Sequence, residues 1–273
     1  MQKILFFSDL HICAPGETII GLDPSDRFAE VLAAAIAAHP DAEAIVLLGD
    51  LTHNGLPEEY AALAGLLMHI NIPIIPMLGN HDQRAPFLEQ FADAPQTASG
   101  HVQQWRDVGQ HRIITLDSLD GPPYPAGHHE GWLCADRLAF LENGLDSRAG
   151  RHAIICIHHP PFETGVIGMD AIKLRNAEQL LRLLARHGSL HLICGHVHLT
   201  ISGNTSGVSW TVLKSTCHQG VVDLNDPNTH LSSNAAGSYG LALLSDDGAI
   251  VHSIDVGTDA QVFAGYTEES LDD

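Results

Sequence analysis

Ile4-Leu5-Phe6-Phe7-Ser8-Asp9-Leu10-His11 opens the chain with a short apolar run that breaks off into metal-competent side chains. The same pattern returns at Leu48-Gly49-Asp50, Leu78-Gly79-Asn80-His81-Asp82, Cys156-Ile157-His158-His159-Pro160 and Ile193-Cys194-Gly195-His196-Val197-His198. In each, a strand fixes the backbone and the turn after it is free to aim carboxylate, amide or imidazole. The crevice beyond the carboxyl ends of strands is where α/β sheets collect ligands. A Gly before Asp50, Asn80 and His196 removes the Cβ clash where the chain turns sharply.

Working outward, the spacing predicts strands at 4–8, 44–48 and 72–78, and helices over 26–39 and 57–70. The first helix is opened by Ser25 or Asp26 and stopped by Pro40; the second has Pro57 in its first turn. Three parallel strands with two crossover helices make half of a doubly wound sheet. A less regular stretch runs over 82–111, with a short helix near 86–91. Strands at 111–116, 153–157 and 190–194 follow, with helices over 134–145 and 175–187. The Pro-, Gly- and His-rich 120–131 reads as an excursion loop. From 200 the helical signal stops, and 200–203, 209–213, 240–244 and 250–255 read as antiparallel strands that complete a second sheet. No linker or short repeat divides the 273 residues, and one domain over 1–273 is expected.

The formal charge of −20, with only 13 Lys and Arg, argues against binding a nucleic-acid duplex. No apolar run is long enough to span a bilayer, so no membrane partner is expected. The first residues lack a basic region and a cleavage site, and export is not expected. Cys13, Cys134, Cys156, Cys194 and Cys217 are odd in number and contain no CxxC pair, which fits unpaired thiols in a reducing cytoplasm.

The recurrent ligand types are His nitrogen and Asp or Asn oxygen without thiolate, a set suited to Fe, Mn, Zn or Co. Asp9, His11, Asp50, Asn80, His158, His196 and His198 are too many ligands for one such ion. Two divalent or trivalent transition-metal ions sharing Asp50 would use them all. Asp-x-His and His-x-His place side chains at i and i+2, so each pair can chelate from one turn.

The ordered set D-x-H, G-D, G-N-H-D, H-H-P-P and G-H-V-H resembles the calcineurin-like metallophosphoesterase family over residues 9–198. The resemblance implies an α/β fold, a four-layer α/β/β/α sandwich with two mixed sheets. It also implies a first ion on Asp9, His11, Asp50 and His198 and a second on Asp50, Asn80, His158 and His196. A hydroxide between the ions would attack phosphorus in line, with Asp50 and His81 as the catalytic pair and His81 serving the leaving group. Asp82 either orients His81 or is a structural turn residue.

Within the family the chain is most similar to bacterial class III cyclic nucleotide phosphodiesterases and glycerophosphodiesterases. The grounds are Asp9-Leu10-His11, the helix start at Gly55-Leu56-Pro57, Met169-Asp170-Ala171-Ile172 followed by Asn176, and Thr216-Cys217-His218-Gln219. Asn80, His81 and His218 would then face substrate. The implied activity is hydrolysis of small phosphodiesters, cyclic nucleotides or glycerophosphodiesters, by a homo-oligomer (dimer or higher). A phosphomonoesterase or a non-catalytic metal-scaffolded binding protein of the same fold are the alternatives.

Of the 19 histidines, His39, His69, His101, His111, His152, His187, His191, His230 and His252 read as solvated or hydrogen-bonded. His53 and His159 read as supports for ligands, and His128-His129 as a surface pair. Arg84 reads as a helix-start salt bridge.

Overall fold

The computed structural model describes residues 1–121, 129–226 and 230–258. The chain runs β1 (Gln2–Phe7), α1 (Pro24–Ala38), β2 (Ala44–Leu48), α2 (Pro57–Leu67), β3 (Ile74–Met77) and α3 (Arg84–Gln90). It continues through β4 (Gln104–Val108), β5 (His111–Leu116), α4 (Ala135–Asp146), β6 (His152–Ile157), α5 (Ile167–Asp170), α6 (Ala177–Leu184) and β7 (Leu190–Cys194). The last elements are β8 (Ile201–Thr205), β9 (Val208–Val212), β10 (Gln219–Gly220), β11 (Ser232–Ser233), β12 (Gly237–Ser245) and β13 (Gly248–Val256).

Two large mixed sheets result. One has the order β13-β12-β1-β2-β3, the other β4-β5-β6-β7-β9-β8. β1, β2 and β3 are parallel, as are β5, β6, β7 and β9, so both parallel blocks send their carboxyl ends toward loops that meet.

Alternation along the strands explains the layering. Leu5 and Phe7 pack outward with Ile45 and Leu47 against Phe28, Val31 and Leu32 of α1 and Tyr60 and Leu63 of α2. Ile4, Phe6, Val46 and Met77 pack inward against Ile113, Ile154, Cys156 and Ile193 of the other sheet. Ile155, Ile157 and Leu192 turn to Leu141, Leu180 and Leu184 of α4 and α6. Strands covered on both faces must be apolar at successive positions, which is why the sequence shows continuous runs here. The result is helices, sheet, sheet, helices.

Several sequence expectations are corrected. The late strands do not all complete the second sheet. β8 and β9 do, whereas β12 lies antiparallel to β1 on the free edge of the first sheet and carries β13 with it. A hairpin's own pattern says nothing about which distant edge accepts it. The second sheet begins at β4, whose Gln-Trp-Arg-Asp-Val reads as irregular because an edge strand exposes polar residues. Helix α1 starts earlier than expected. Asp23, not Ser25 or Asp26, is the N-cap and accepts from Ser25 N (2.8 Å) and Asp26 N (3.3 Å).

All five cysteines are unpaired, four of them buried. No helix among the described residues is long and apolar enough to cross a membrane.

Candidate metal centre

Five of the seven predicted ligands sit just past strand ends in the left-handed region: Asp9 (φ 51), His11 (φ 49), Asp50 (φ 47), His196 (φ 73) and His198 (φ 56). A non-Gly residue there costs on the order of 1–2 kcal/mol. Such strain concentrates where structure holds a side chain for a task. Gly79 permits the closest approach of the loops, because a Cβ there would lie 2.5 Å from Asp50 N and 2.7 Å from His158 Nε2.

Six of the seven predicted ligands are buried, Asn80 only partly so, and they lie close together. Asp50 Oδ2 stands between the two predicted sets, 3.2 Å from His158 Nε2 and 3.8 Å from His11 Nε2. Asp9 Oδ1 lies 3.3 Å from His198 Nε2 and 3.9 Å from His158 Nε2. Asp9 is further held by Ser8 Oγ (2.5 Å) and His196 N (3.1 Å), and Asp50 Oδ1 by His81 N (2.9 Å). His11 and His198 bring their Nε2 atoms within 3.1 Å of each other.

The outer nitrogens decide the tautomers, since a backbone carbonyl can only accept. His158 Nδ1 donates to Leu48 O (2.8 Å), His198 Nδ1 to His218 O (2.8 Å), His196 Nε2 to Ile172 O (3.1 Å) and His81 Nδ1 to His53 O (2.7 Å). Each ring therefore turns its other nitrogen inward, the arrangement by which outer-sphere carbonyls prepare imidazole ligands. Asn80 Nδ2 donates to His129 Nδ1 (3.0 Å), which leaves Asn80 Oδ1 for the site.

Electrostatics agree with a cation site. Burial drives His11 well below the ordinary imidazole range, and burial together with His158 takes His196 down to about 3. Burial alone would raise the Asp50 carboxyl, but the imidazoles of His158 and His81 hold it well below the carboxylate range. Burial works against a charged His158, yet Asp50 and Asp9 raise it. The two carboxylates thus draw positive charge inward. Asn80 Oδ1 is buried without a hydrogen-bond partner, an atom that a metal would satisfy. Donor set, convergence and this orphaned atom fit transition-metal ions.

A cavity of about 330 Å³ opens above this floor. Asn80, His81 and His218 line it, together with His53, His129 and His230. The His218 ring lies 4.5 Å from that of His198 and 5.3 Å from that of His11.

Other expectations change. Asp82 does not orient His81. Its carboxylate accepts from Leu51 N (3.0 Å), Thr52 N and Oγ1 (3.2 Å each), Tyr60 OH (3.1 Å) and Gly79 N (2.9 Å), clamping two ligand loops together. His129 is no surface residue but the partner of Asn80; His128 lies outside the described residues. His230 is exposed, as a solvated histidine should be, and also borders the cavity. Both contacts join segments far apart in sequence, so no local signal points to them.

His159 has both nitrogens engaged, Nε2 donating to His129 O (3.1 Å) and Nδ1 accepting from Ser118 Oγ (2.8 Å), which makes it a support. His53 supports through its carbonyl to His81 and a 3.4 Å Nδ1 to Nδ1 contact with His11. Arg84 forms a buried bidentate pair with Asp117 (2.7 Å each). Asp170 and Asn176 are structural, the first accepting from Thr164 N and Gly165 N, the second bridging Leu133 N and O.

Residues 2–199 match the calcineurin-like phosphoesterase family. The chain is 35% identical over 272 residues to a probable cyclic nucleotide phosphodiesterase of Rhodopseudomonas palustris, covering 99% of this chain and 98% of that one. It is 30% identical over 217 residues to the glycerophosphodiester phosphodiesterase GpdQ of Enterobacter lignolyticus, covering 78% and 76%. In fold it is similar to a dimetal phosphatase from Danio rerio, with a TM-score of 0.69 at 16% identity and coverage of 92% and 95%. On this match and the order of its motifs, the chain belongs to the calcineurin-like phosphoesterase family.

Proposed function

We propose that the protein is a binuclear-metal phosphodiesterase acting on small phosphodiesters, cyclic nucleotides or glycerophosphodiesters. The observation that carries this reading is the set of imidazoles pinned through their outer nitrogens, with their inner nitrogens converging on Asp9 and Asp50. Asp9, His11, Asp50 and His198 would hold one ion, and Asp50, Asn80, His158 and His196 the other, as Fe, Mn, Zn or Co. When bound, the ions supply Lewis acidity and a water of lowered pKa.

The chain's own residues do the rest. Asp50, fixed by His81 N, sets the spacing of the two ligand groups. His81, whose Nδ1 is committed to His53 O, has only Nε2 to offer a departing oxygen, either as a hydrogen bond or as a proton. His218 and Asn80 flank the phosphoryl position. The described cavity lining contains no Lys or Arg, which favours a monoanionic diester over a dianionic monoester. A cytoplasmic address, supported by the unpaired thiols, and a homo-oligomeric state belong to the same reading.

The test is hydrolysis of bis(p-nitrophenyl) phosphate beside p-nitrophenyl phosphate on chelator-stripped protein with Mn, Co, Fe or Zn restored. Metal-dependent turnover faster on the diester is expected. No turnover with any of the metals sinks the reading and leaves the scaffold role.

A further inference from the structure

The cavity above the ligands is built from two unlike parts. Its floor is imidazole, carboxylate and amide. Its walls are mostly aliphatic: Val166, Met169 and Ile172 come from α5 and its flanks, Val221 and Leu231 from the ends of β10 and β11, with His230 and Ser232 the polar members beside Leu231. The two wall segments approach each other, since Met169 Sδ lies 3.4 Å from His230 Nδ1. Val221 and Leu231 are 38% and 48% exposed, so their side chains are open to the cavity side.

From these walls we infer that one ester substituent of the substrate is an uncharged, largely apolar group, bound against Met169 and Ile172. This rests on the phosphodiesterase reading and narrows it. The phosphate is accounted for by the floor, so the walls meet whatever phosphorus carries besides the leaving group. A polyhydroxyl substituent such as glycerol would lose water against aliphatic walls that return few hydrogen bonds. A quaternary ammonium would want aromatic faces, and no Phe, Tyr or Trp lines the described cavity. An aryl or heteroaryl group suits the thioether of Met169, which packs against ring edges. Met169 and Ile172 are thus specificity residues. Ile172 has a second role through its carbonyl on His196, which leaves Met169 the cleaner position to probe.

The experiment compares binding of diphenyl phosphate with that of dimethyl phosphate and glycerophosphocholine to the metal-loaded protein by calorimetry, in the wild type and in Met169→Gln. Diphenyl phosphate should bind about 10- to 100-fold more tightly than either, the span expected for burying a phenyl ring. Met169→Gln, which keeps length and removes apolar character, should close most of that gap. Comparable affinity for all three ligands, or a gap untouched in Met169→Gln, overturns the inference. Binding is read without turnover, so an enzyme inactive on every diester would refute the phosphodiesterase reading separately.

Discussion

Gly79→Ala isolates the close approach on which the metal centre depends. Gly79 is not in the left-handed region, so alanine brings no backbone strain and the effect is steric. The added methyl would sit 2.5 Å from Asp50 N and 2.7 Å from His158 Nε2, roughly 1 Å inside ordinary contact. Neither neighbour can yield freely. Asp50 N is backbone in a positive-φ residue, and His158 is tied through Nδ1 to Leu48 O at 2.8 Å. The loops must separate by a large part of 1 Å, a displacement that costs about 100-fold in turnover at a site needing sub-ångström placement. Overpacking should also cost the metal-free protein about 1–3 kcal/mol. The control is Gly65→Ala, on the exposed face of α2 with nothing within 4 Å of its Cβ. That change should stabilise by about 0.5–1 kcal/mol through helix propensity. Urea unfolding of stripped protein, metal titration and kcat/KM on bis(p-nitrophenyl) phosphate measure all three effects. Gly79→Ala with wild-type metal affinity and turnover within about threefold would refute the reasoning.

Three further perturbations probe other parts of the site. Asp82→Ala strands four buried donors, leaves Tyr60 OH only its 3.4 Å contact to Gln83 O, and should destabilise the metal-free protein by about 3 kcal/mol or more in urea unfolding; a loss of activity with unchanged stability would mean that Asp82 serves His81 after all. His158 is raised in the metal-free fold, so its proton adds stability that is complete below the ordinary imidazole pKa and fades as pH rises through the raised value. Metal must displace that proton, so binding near pH 7.5 should release it and calorimetric enthalpies should differ between buffers of unlike ionisation enthalpy; identical enthalpies would count against it. His81→Ala should slow esters of alkyl alcohols by about 100-fold and p-nitrophenyl esters much less, and equal slowing would refute a proton-donor role.

Residue order carried much of this. The apolar runs at β1, β2, β6 and β7 are readable because both faces of each strand are buried, leaving no polar alternation to confuse them. The ligand segments are readable because each is local, a strand end and the two or three residues after it. Asp9-x-His11 and His196-x-His198 are spaced so that each pair can chelate from one turn. Family resemblance then assigned them to two ions, and the structure brings those side chains together.

What escaped depends on pairing over long distances. β12 joins β1 across more than 230 residues, and only the free edge beside β1 decides that, not the hairpin's own pattern. His129 meets Asn80 and Asp82 meets Leu51, Thr52 and Tyr60 by the same kind of encounter. A side chain's chemical type is written in the sequence, and so is its direction where a strand end fixes it. Its partner is not, because hydrogen bonds and packing are made by whichever group the completed fold brings within about 3 Å. The kinds of candidate ligand were therefore determined by the sequence, whereas the clamps that aim them, and the largely apolar walls above them, were decided only by the tertiary structure.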